Sequence, residues 1–247
     1  MDLIYRETHT VDAFSTDCFG RLKTSTLLYY LQEAAGGHSA LLGVNDAFLT
    51  DKNLFWAVTR HYLVINRLPC LGEKVTVETW PMPTSRVAYP RAVAFYDENG
   101  QELARAVSLW VLMDIENRTM VLPGKSGVDV NGILRGNEAE LPKFPLPKEL
   151  PNERTVTVTY SLLDKNGHMN NTRYLDWVND LLPASFHKAH TPAEILLSYH
   201  SEALENQQIC LYHNLTETGE MTVDAHRINT SVHEKTKRVF SAQVRFL

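Results

Sequence analysis

The stretch Asp164-Lys165-Asn166-Gly167-His168-Met169-Asn170-Asn171-Thr172-Arg173-Tyr174 gathers carboxylate, amide and imidazole groups in one short run. Such a set can take up and return protons at a reacting centre, with the amide donating to a developing oxyanion. If the segment is extended, Asp164, Asn166 and His168 alternate and their side chains point the same way. Tyr174, Leu175, Val178, Leu181 and Leu182 follow at helical spacing, so a helix starts near Asn170 and Asn171. Its unpaired backbone N–H groups are a second place to hold negative charge.

Each of these residues also has a plain structural reading. Asp164 and Asn166 are turn formers, and His168 alone would be a surface histidine. Asn170 and Asn171 are better helix caps than catalytic groups, and Tyr174 suits packing behind the site. The full constellation favours chemistry over any residue taken singly.

The scaffold for these groups is written twice. A shift of 147 residues (164 − 17) aligns Asp17 with Asp164, Gly20 with Gly167, Thr24 with Asn171, Leu28 with Leu175, Tyr30 with Trp177 and Leu31 with Val178. Phe19 and Arg21 stand where Asn166 and His168 stand, so the polar set belongs to one half and one active site per chain is expected. Between the halves, Pro142, Pro145, Pro147 and Pro151 crowd a stretch of weak periodicity that reads as a linker. The expected organisation is an N-terminal unit at 1–123, a Pro-rich linker at 124–154 and a C-terminal unit at 155–247.

In the first half, Thr24, Ser25 or Thr26 can cap a helix carrying Leu27, Leu28, Leu31, Ala34 and Ala35, with Gly36-Gly37 as a stop or a close-packing point. Strands are expected at an N-terminal segment, then Phe55–Asn66, Glu73–Trp80, Val87–Tyr96 and Gln101–Asp114. Asp97-Glu98-Asn99-Gly100 and Glu116-Asn117-Arg118 supply turns. The second half repeats the plan with Thr155–Thr159, the helix after Asn171, Ile195–Ala203, Gln208–Asn214, Met221–Asn229 and Arg238–Phe246. One helix and about five strands per half predict an α+β fold in which each antiparallel sheet curls around its helix.

Composition narrows the function. With 44% apolar and 21% charged residues the chain is an ordinary globular one. A net charge of −5, with no basic run longer than Lys235-Thr236-Lys237-Arg238, argues against nucleic acid. Cys18, Cys70 and Cys210 form no CxxC pair, which suits a reducing cytoplasm and small buried apolar roles for all three. No basic leader or membrane-length apolar run opens the chain, so a soluble, unprocessed protein is expected. His187 and His190 lack acidic or thiolate partners at ligand spacing, and no Gly-rich phosphate loop occurs. Neither metal nor cofactor is expected.

The string Asp164-x-Asn166-x-His168-x-Asn170-Asn171-x-x-Tyr174 resembles the signature of the acyl-acyl carrier protein thioesterases of plants and bacteria. Trp56-Ala57-Val58-Thr59-Arg60, Ile65-Asn66-Arg67-Leu68-Pro69 and Gly72-Glu73-Lys74-Val75-Thr76-Val77-Glu78-Thr79-Trp80 resemble that family's first unit. The resemblance implies a double hotdog fold, each sheet wrapped around a long helix, and hydrolysis of fatty acyl thioesters on acyl carrier protein without a cofactor. It also implies that the first unit holds the acyl tail and that Glu202 joins Asp164, Asn166 and His168 at the site. Where the family usually carries Cys, this chain has Ala203, so a Cys-His-Asn route is closed and a carboxylate and water route is implied. Glu202 would activate water, and Asp164 would orient its neighbours or act as nucleophile.

Docking an acidic carrier to an acidic chain calls for a local basic patch, for which Arg60, Arg67, Arg86 and Arg91 are a pool. A homodimer is left open. Hydrolysis of coenzyme A esters, a non-catalytic acyl-thioester sensor and, more weakly, a hotdog dehydratase are the competing readings.

Overall fold

The computed structural model describes residues 3–147, 149–228 and 237–247. The chain divides into two compact units between Leu141 and Pro142. In the first unit the order is β1 (Tyr5–Thr10), α1 (Thr24–Leu41), α2 (Asp46–Asp51), β2 (Leu54–Ile65), β3 (Lys74–Pro81), β4 (Tyr89–Tyr96), β5 (Glu102–Asp114), β6 (Met120–Val121) and α3 (Pro123–Ser126). Its antiparallel sheet runs β1-β3-β4-β5-β2, with β6 on β5. The second unit has β7 (Asn152–Thr157), a single 3-10 turn (Tyr160–Leu162), α4 (Arg173–Asn179), α5 (Ala184–Ala189), β8 (Pro192–Tyr199), β9 (Gln208–Leu215), β10 (Glu220–Arg227) and β11 (Lys237–Phe246). Its sheet runs β7-β9-β10-β11-β8, the same order strand for strand. This is the tandem α+β arrangement that the repeat predicts.

α1 buries Leu27, Leu28, Leu31, Ala34, Ala35 and His38, a stripe at helical spacing that packs on β3 and β1. Each fully buried leucine in it contributes roughly 1.5–3 kcal/mol. The helix is entered from Lys23 without a side-chain cap, and Thr24 and Ser25 are buried in the first turn instead of capping it. Gly36-Gly37 does not stop the helix. Gly37 is a close-packing point, since a Cβ there would lie 2.7 Å from the Tyr5 hydroxyl.

The second helix is shorter than the apolar pattern suggests. α4 ends at Asn179, and Leu181 and Leu182 lie beyond it because Pro183 disfavours helical backbone just before it. β8 ends at Tyr199, which leaves Glu202 and Ala203 in a loop rather than on a strand. Asn229, at the end of an expected strand, and Lys235 and Thr236 of the basic run lie outside the described residues.

Among the described residues no helix or strand forms between 127 and 151, but the first part of that stretch is not a free spacer. Arg135 pairs with Glu78 at 2.6 Å and lies over the Trp80 ring, whose Nε1 donates to Glu138 at 3.1 Å. The Ile133 N–H donates to the Pro81 carbonyl. Proline-rich sequence hid these contacts, because extended backbone without periodicity can still be pinned by side chains.

Two expectations fail on burial. Cys18 and Cys70 are exposed, and only Cys210 is buried, since the first two lie in turn and loop segments rather than on a core face. Arg91 is 7% exposed and bonds His38 Nδ1 at 3.1 Å and Thr79 Oγ1 at 3.2 Å, so it cannot dock a carrier. Burial lowers its pKa to about 10. Arg67 is tied to Glu73 and Asp97, which leaves Arg86 as the exposed member of the basic pool without such a tie.

His61 on β2 faces Ser108 on β5, with Nδ1 to Oγ at 2.7 Å, both buried. Desolvation lowers its pKa from 6.5 to about 3, so folding holds it neutral. Between those values the unfolded chain binds a proton that the folded chain refuses. Stability should therefore fall as pH drops from about 6.5 towards 3, by up to ~1.4 kcal/mol per pH unit from this group. His61→Gln is expected to flatten that acid limb in denaturant titrations; an unchanged slope would show that His61 does not set it.

Candidate active site

The site is built on a turn that each unit makes in the same way. In the second unit, Asp164 N–H donates to the His168 carbonyl at 2.7 Å and Gly167 N–H to the Asp164 carbonyl at 3.0 Å. Asp164 Oδ1 accepts the N–H groups of Asn166 at 2.8 Å and His168 at 3.2 Å. In the first unit, Asp17 makes the same four contacts with Phe19, Gly20 and Arg21. Gly20 and Gly167 both have φ of 75°, a left-handed conformation that glycine tolerates best. The segment is thus a tight turn, not the extended run that alternation suggested.

Each turn is clasped to a distant loop by main-chain hydrogen bonds. Met169 N–H donates to the Ala203 carbonyl at 2.9 Å, as Leu22 N–H does to Pro69 at 2.8 Å. Asn206 N–H reaches the Val158 carbonyl, as Gly72 N–H reaches Val11. Leu204 N–H is taken by Gln207 Oε1, as Cys70 N–H is by Glu73 Oε1. The loop offset is 134 residues (203 − 69), which places Leu68 opposite Glu202.

The clasp brings the functional side chains together in the second unit. His168 Nε2 lies 3.4 Å from Glu202 Oε2, with the side chains 23% and 45% exposed, so both face water. Asn166 is exposed on the same turn. Asp164 is half-buried, and one of its oxygens is committed to the turn. In the first unit Arg21 pairs back onto Asp17 at 2.9 Å and no carboxylate occupies the loop position.

Behind the pair lies an aromatic wall. Tyr174 packs against Phe240, Tyr199 and Trp177 with ring centroids 4.8, 5.6 and 5.8 Å away. Burial raises the Tyr174 pKa, with a smaller opposing effect from the Ala203 backbone; the charges of Glu202 and Asp164 raise it and that of Arg227 lowers it. Tyr199, whose pKa burial raises well above its ordinary value, donates to the Asn171 carbonyl at 2.9 Å.

At the helix start some of the N–H groups are already engaged. Asn170 Oδ1 accepts the Thr172 N–H, the Asn170 carbonyl accepts Arg173, and the Thr172 carbonyl accepts Leu175. Asn170 thus closes the turn ahead of the helix, whose N-cap residue Thr172 makes no side-chain cap bond, so neither Asn170 nor Asn171 is the expected helix cap. His187 Nε2 contacts the Asn179 carbonyl, and His190 stacks on Phe186 at 4.2 Å. Among the described residues no cluster suits a metal ion, and no helix is long and apolar enough to cross a membrane.

Sequence reasoning missed Arg227, whose Nη2 donates to the Glu202 carbonyl at 2.7 Å. The available signal was a lone basic residue ending the otherwise alternating strand Met221–Ala225.

Comparison with known proteins agrees with this architecture. Residues 2–122 match the acyl-ACP thioesterase N-terminal domain and residues 147–243 the acyl-ACP thioesterase C-terminal domain. A chloroplastic palmitoyl-acyl carrier protein thioesterase of Cuphea hookeriana is 25% identical over 215 residues, 81% of this chain and 52% of that protein. A chloroplastic oleoyl-acyl carrier protein thioesterase of Arabidopsis thaliana is 27% identical over 231 residues, 84% of this chain and 62% of that protein. The chain thus spans about half the length of the first of these relatives. The crystal structure of an acyl-ACP thioesterase from Bacteroides thetaiotaomicron superposes with a TM-score of 0.87 at 25% identity, covering 99% of this chain and 98% of that one. That curated relatives are chloroplastic overturns the cytoplasmic expectation, because cysteine usage reports on redox conditions and does not name the compartment. With both halves matched in order and the repeated fold behind them, this chain belongs to the acyl-ACP thioesterase family.

Proposed function

We propose that the chain hydrolyses fatty acyl thioesters carried on acyl carrier protein, releasing the free fatty acid and ending chain elongation. The observation that carries this is the His168–Glu202 pair, 3.4 Å apart and open to solvent on a turn that the other unit keeps without the pair. Names of the relatives agree with it.

Glu202 takes a proton from water as the water oxygen attacks the thioester carbonyl carbon. The carbonyl electrons move onto oxygen, where Asn166 and His168 side chains are the donors at hand. When the C–S bond breaks, the proton held by Glu202 passes to the leaving sulfur, giving fatty acid and carrier thiol. Asp164 acts by orienting the turn, since its Oδ1 already holds two backbone N–H groups; this favours orientation over direct attack. No cysteine is required. The pair lies within one chain, so the chemistry does not call for a second copy. A sensor without catalysis is disfavoured because a bare binding module has no need of an opposed imidazole and carboxylate.

His168→Ala and Glu202→Gln should each lower turnover by about 100-fold or more while the protein still folds. Near-normal rates in either would remove that residue from the mechanism. Asp17→Ala and Asp164→Ala should each cost roughly 1 kcal/mol of stability through the lost turn contacts, but only Asp164→Ala should depress turnover strongly. Equal effects of the two on turnover would reduce Asp164 to a fold residue. On substrates of matched acyl length, fatty acid release from the carrier thioester should exceed that from the coenzyme A ester; the reverse order would move the substrate class to coenzyme A.

A further inference from the structure

Glu202 is placed opposite His168 although its side chain is nearly half exposed and so is fixed little by packing. Its loop must be held by the main chain. At the near end, His200 and Ser201 N–H groups both donate to the Val239 carbonyl, and Ser201 Oγ donates to the Arg238 carbonyl. At the far end, Asn206 is tied to Val158 and Gln207 to Leu204. Glu202 and Ala203 lie between these ties, and three groups reach them. Met169 N–H takes the Ala203 carbonyl, and Arg227 Nη2 takes the Glu202 carbonyl at 2.7 Å. The third is Tyr174: a hydrogen bond from the Ala203 backbone lowers its pKa against the effect of burial, as an N–H donated to the phenol oxygen does.

Two arginines of this unit donate to main-chain carbonyls, Arg154 to Asp180 and Arg227 to Glu202. Arg173, Arg238 and Arg245 each pair with a carboxylate, whereas Arg227 has no such pair among the described residues and its buried Nε has no hydrogen-bond partner. A half-buried guanidinium that spends its short contact on one main-chain carbonyl contributes little as an ion pair. What it fixes is the peptide from which the Glu202 side chain departs.

We propose that Arg227 is a positioning residue for Glu202, acting with Tyr174 through the main chain to hold the carboxylate across from His168. This rests on the thioesterase reading given above. Arg227 makes no contact with the Glu202 carboxylate oxygens in this scheme, so it acts on geometry and touches neither substrate nor water. Replacing it leaves both members of the pair in place and lets their separation wander, which weakens turnover more than substrate binding.

The test combines kinetics with hydrogen exchange on the full chain. Arg227→Met should lower kcat about 10-fold with KM changed less than about 2-fold, and Arg227→Lys should recover part of the loss, since one ammonium donor can still reach the carbonyl. In the Glu202→Gln background, Arg227→Met should add less than about a 2-fold further loss, because its effect runs through Glu202. Independently of turnover, the Met169 amide should exchange at least about 10-fold faster in Arg227→Met, while amides of β11 stay protected. Equal losses in both backgrounds, a rise in KM at constant kcat, or unchanged Met169 protection would each overturn the proposal. If the unaltered chain released no fatty acid, the thioesterase reading would fall, and the exchange result would still decide whether Arg227 anchors the loop.

Discussion

The constraint on which the rest depends is the pairing of main-chain groups where a tight turn meets a returning loop. Buried peptide groups must find partners, and in each unit the same pairs form: Leu22 to Pro69 and Met169 to Ala203, Gly72 to Val11 and Asn206 to Val158. These bonds use no side chain. Once they are made, the residues at the turn and loop positions that face outward are released from structural duty. One unit places Phe19 and Arg21 on the turn and buries Leu68 at the loop position, whereas the other places Asn166, His168 and Glu202 there, facing water.

That division explains how one fold carries two kinds of surface. In the first unit Arg21 closes on Asp17 within the turn, and the arginine also lies over the Phe19 ring at 5.0 Å. The turn is self-contained there. In the second unit histidine replaces the arginine. The imidazole does not repeat that closure and faces Glu202 on the loop instead. Asp17 and Asp164 make the same backbone contacts in the two versions of the turn, because those are what make the turn. The site is therefore a modification of a structural feature, with the supporting bonds left untouched.

Much of the fold was legible in the sequence, and the reasons differ by element. The strands from Leu54 to Asp114 announce themselves by alternation and by Asp97-Glu98-Asn99-Gly100, whose Asp97 Oδ1 takes the N–H groups of Asn99 and Gln101. The repeat was legible through Asp-x-x-Gly, since a left-handed glycine after an aspartate leaves a mark that survives divergence. The site was legible as residue types but not as geometry: Asp164 and His168 meet through a turn, and alternation gave a wrong reason for their proximity. Glu202 had no local signal at all, because a loop carboxylate 34 residues from His168 (202 − 168) is placed by tertiary pairing. Arg227 left a local mark as a basic residue ending β10, but its bond to the Glu202 carbonyl is likewise set by tertiary pairing. The extent of α4 was misjudged because apolar residues continue past Asn179 while Pro183 ends the helix.

The alanine at position 203 can now be weighed by what its atoms touch. Its side chain is fully buried, whereas the His168–Glu202 pair faces solvent. Its carbonyl is bonded to Met169 and its backbone meets the Tyr174 hydroxyl. Every contact that ties this residue to the site is made by its main chain, which alanine provides as well as cysteine would. A thiol here would start from a fully buried Cβ, where desolvation disfavours the thiolate that a nucleophile requires. The burden of the chemistry then falls on groups that do face water, Glu202 and His168, and on the peptide bonds that keep them opposed.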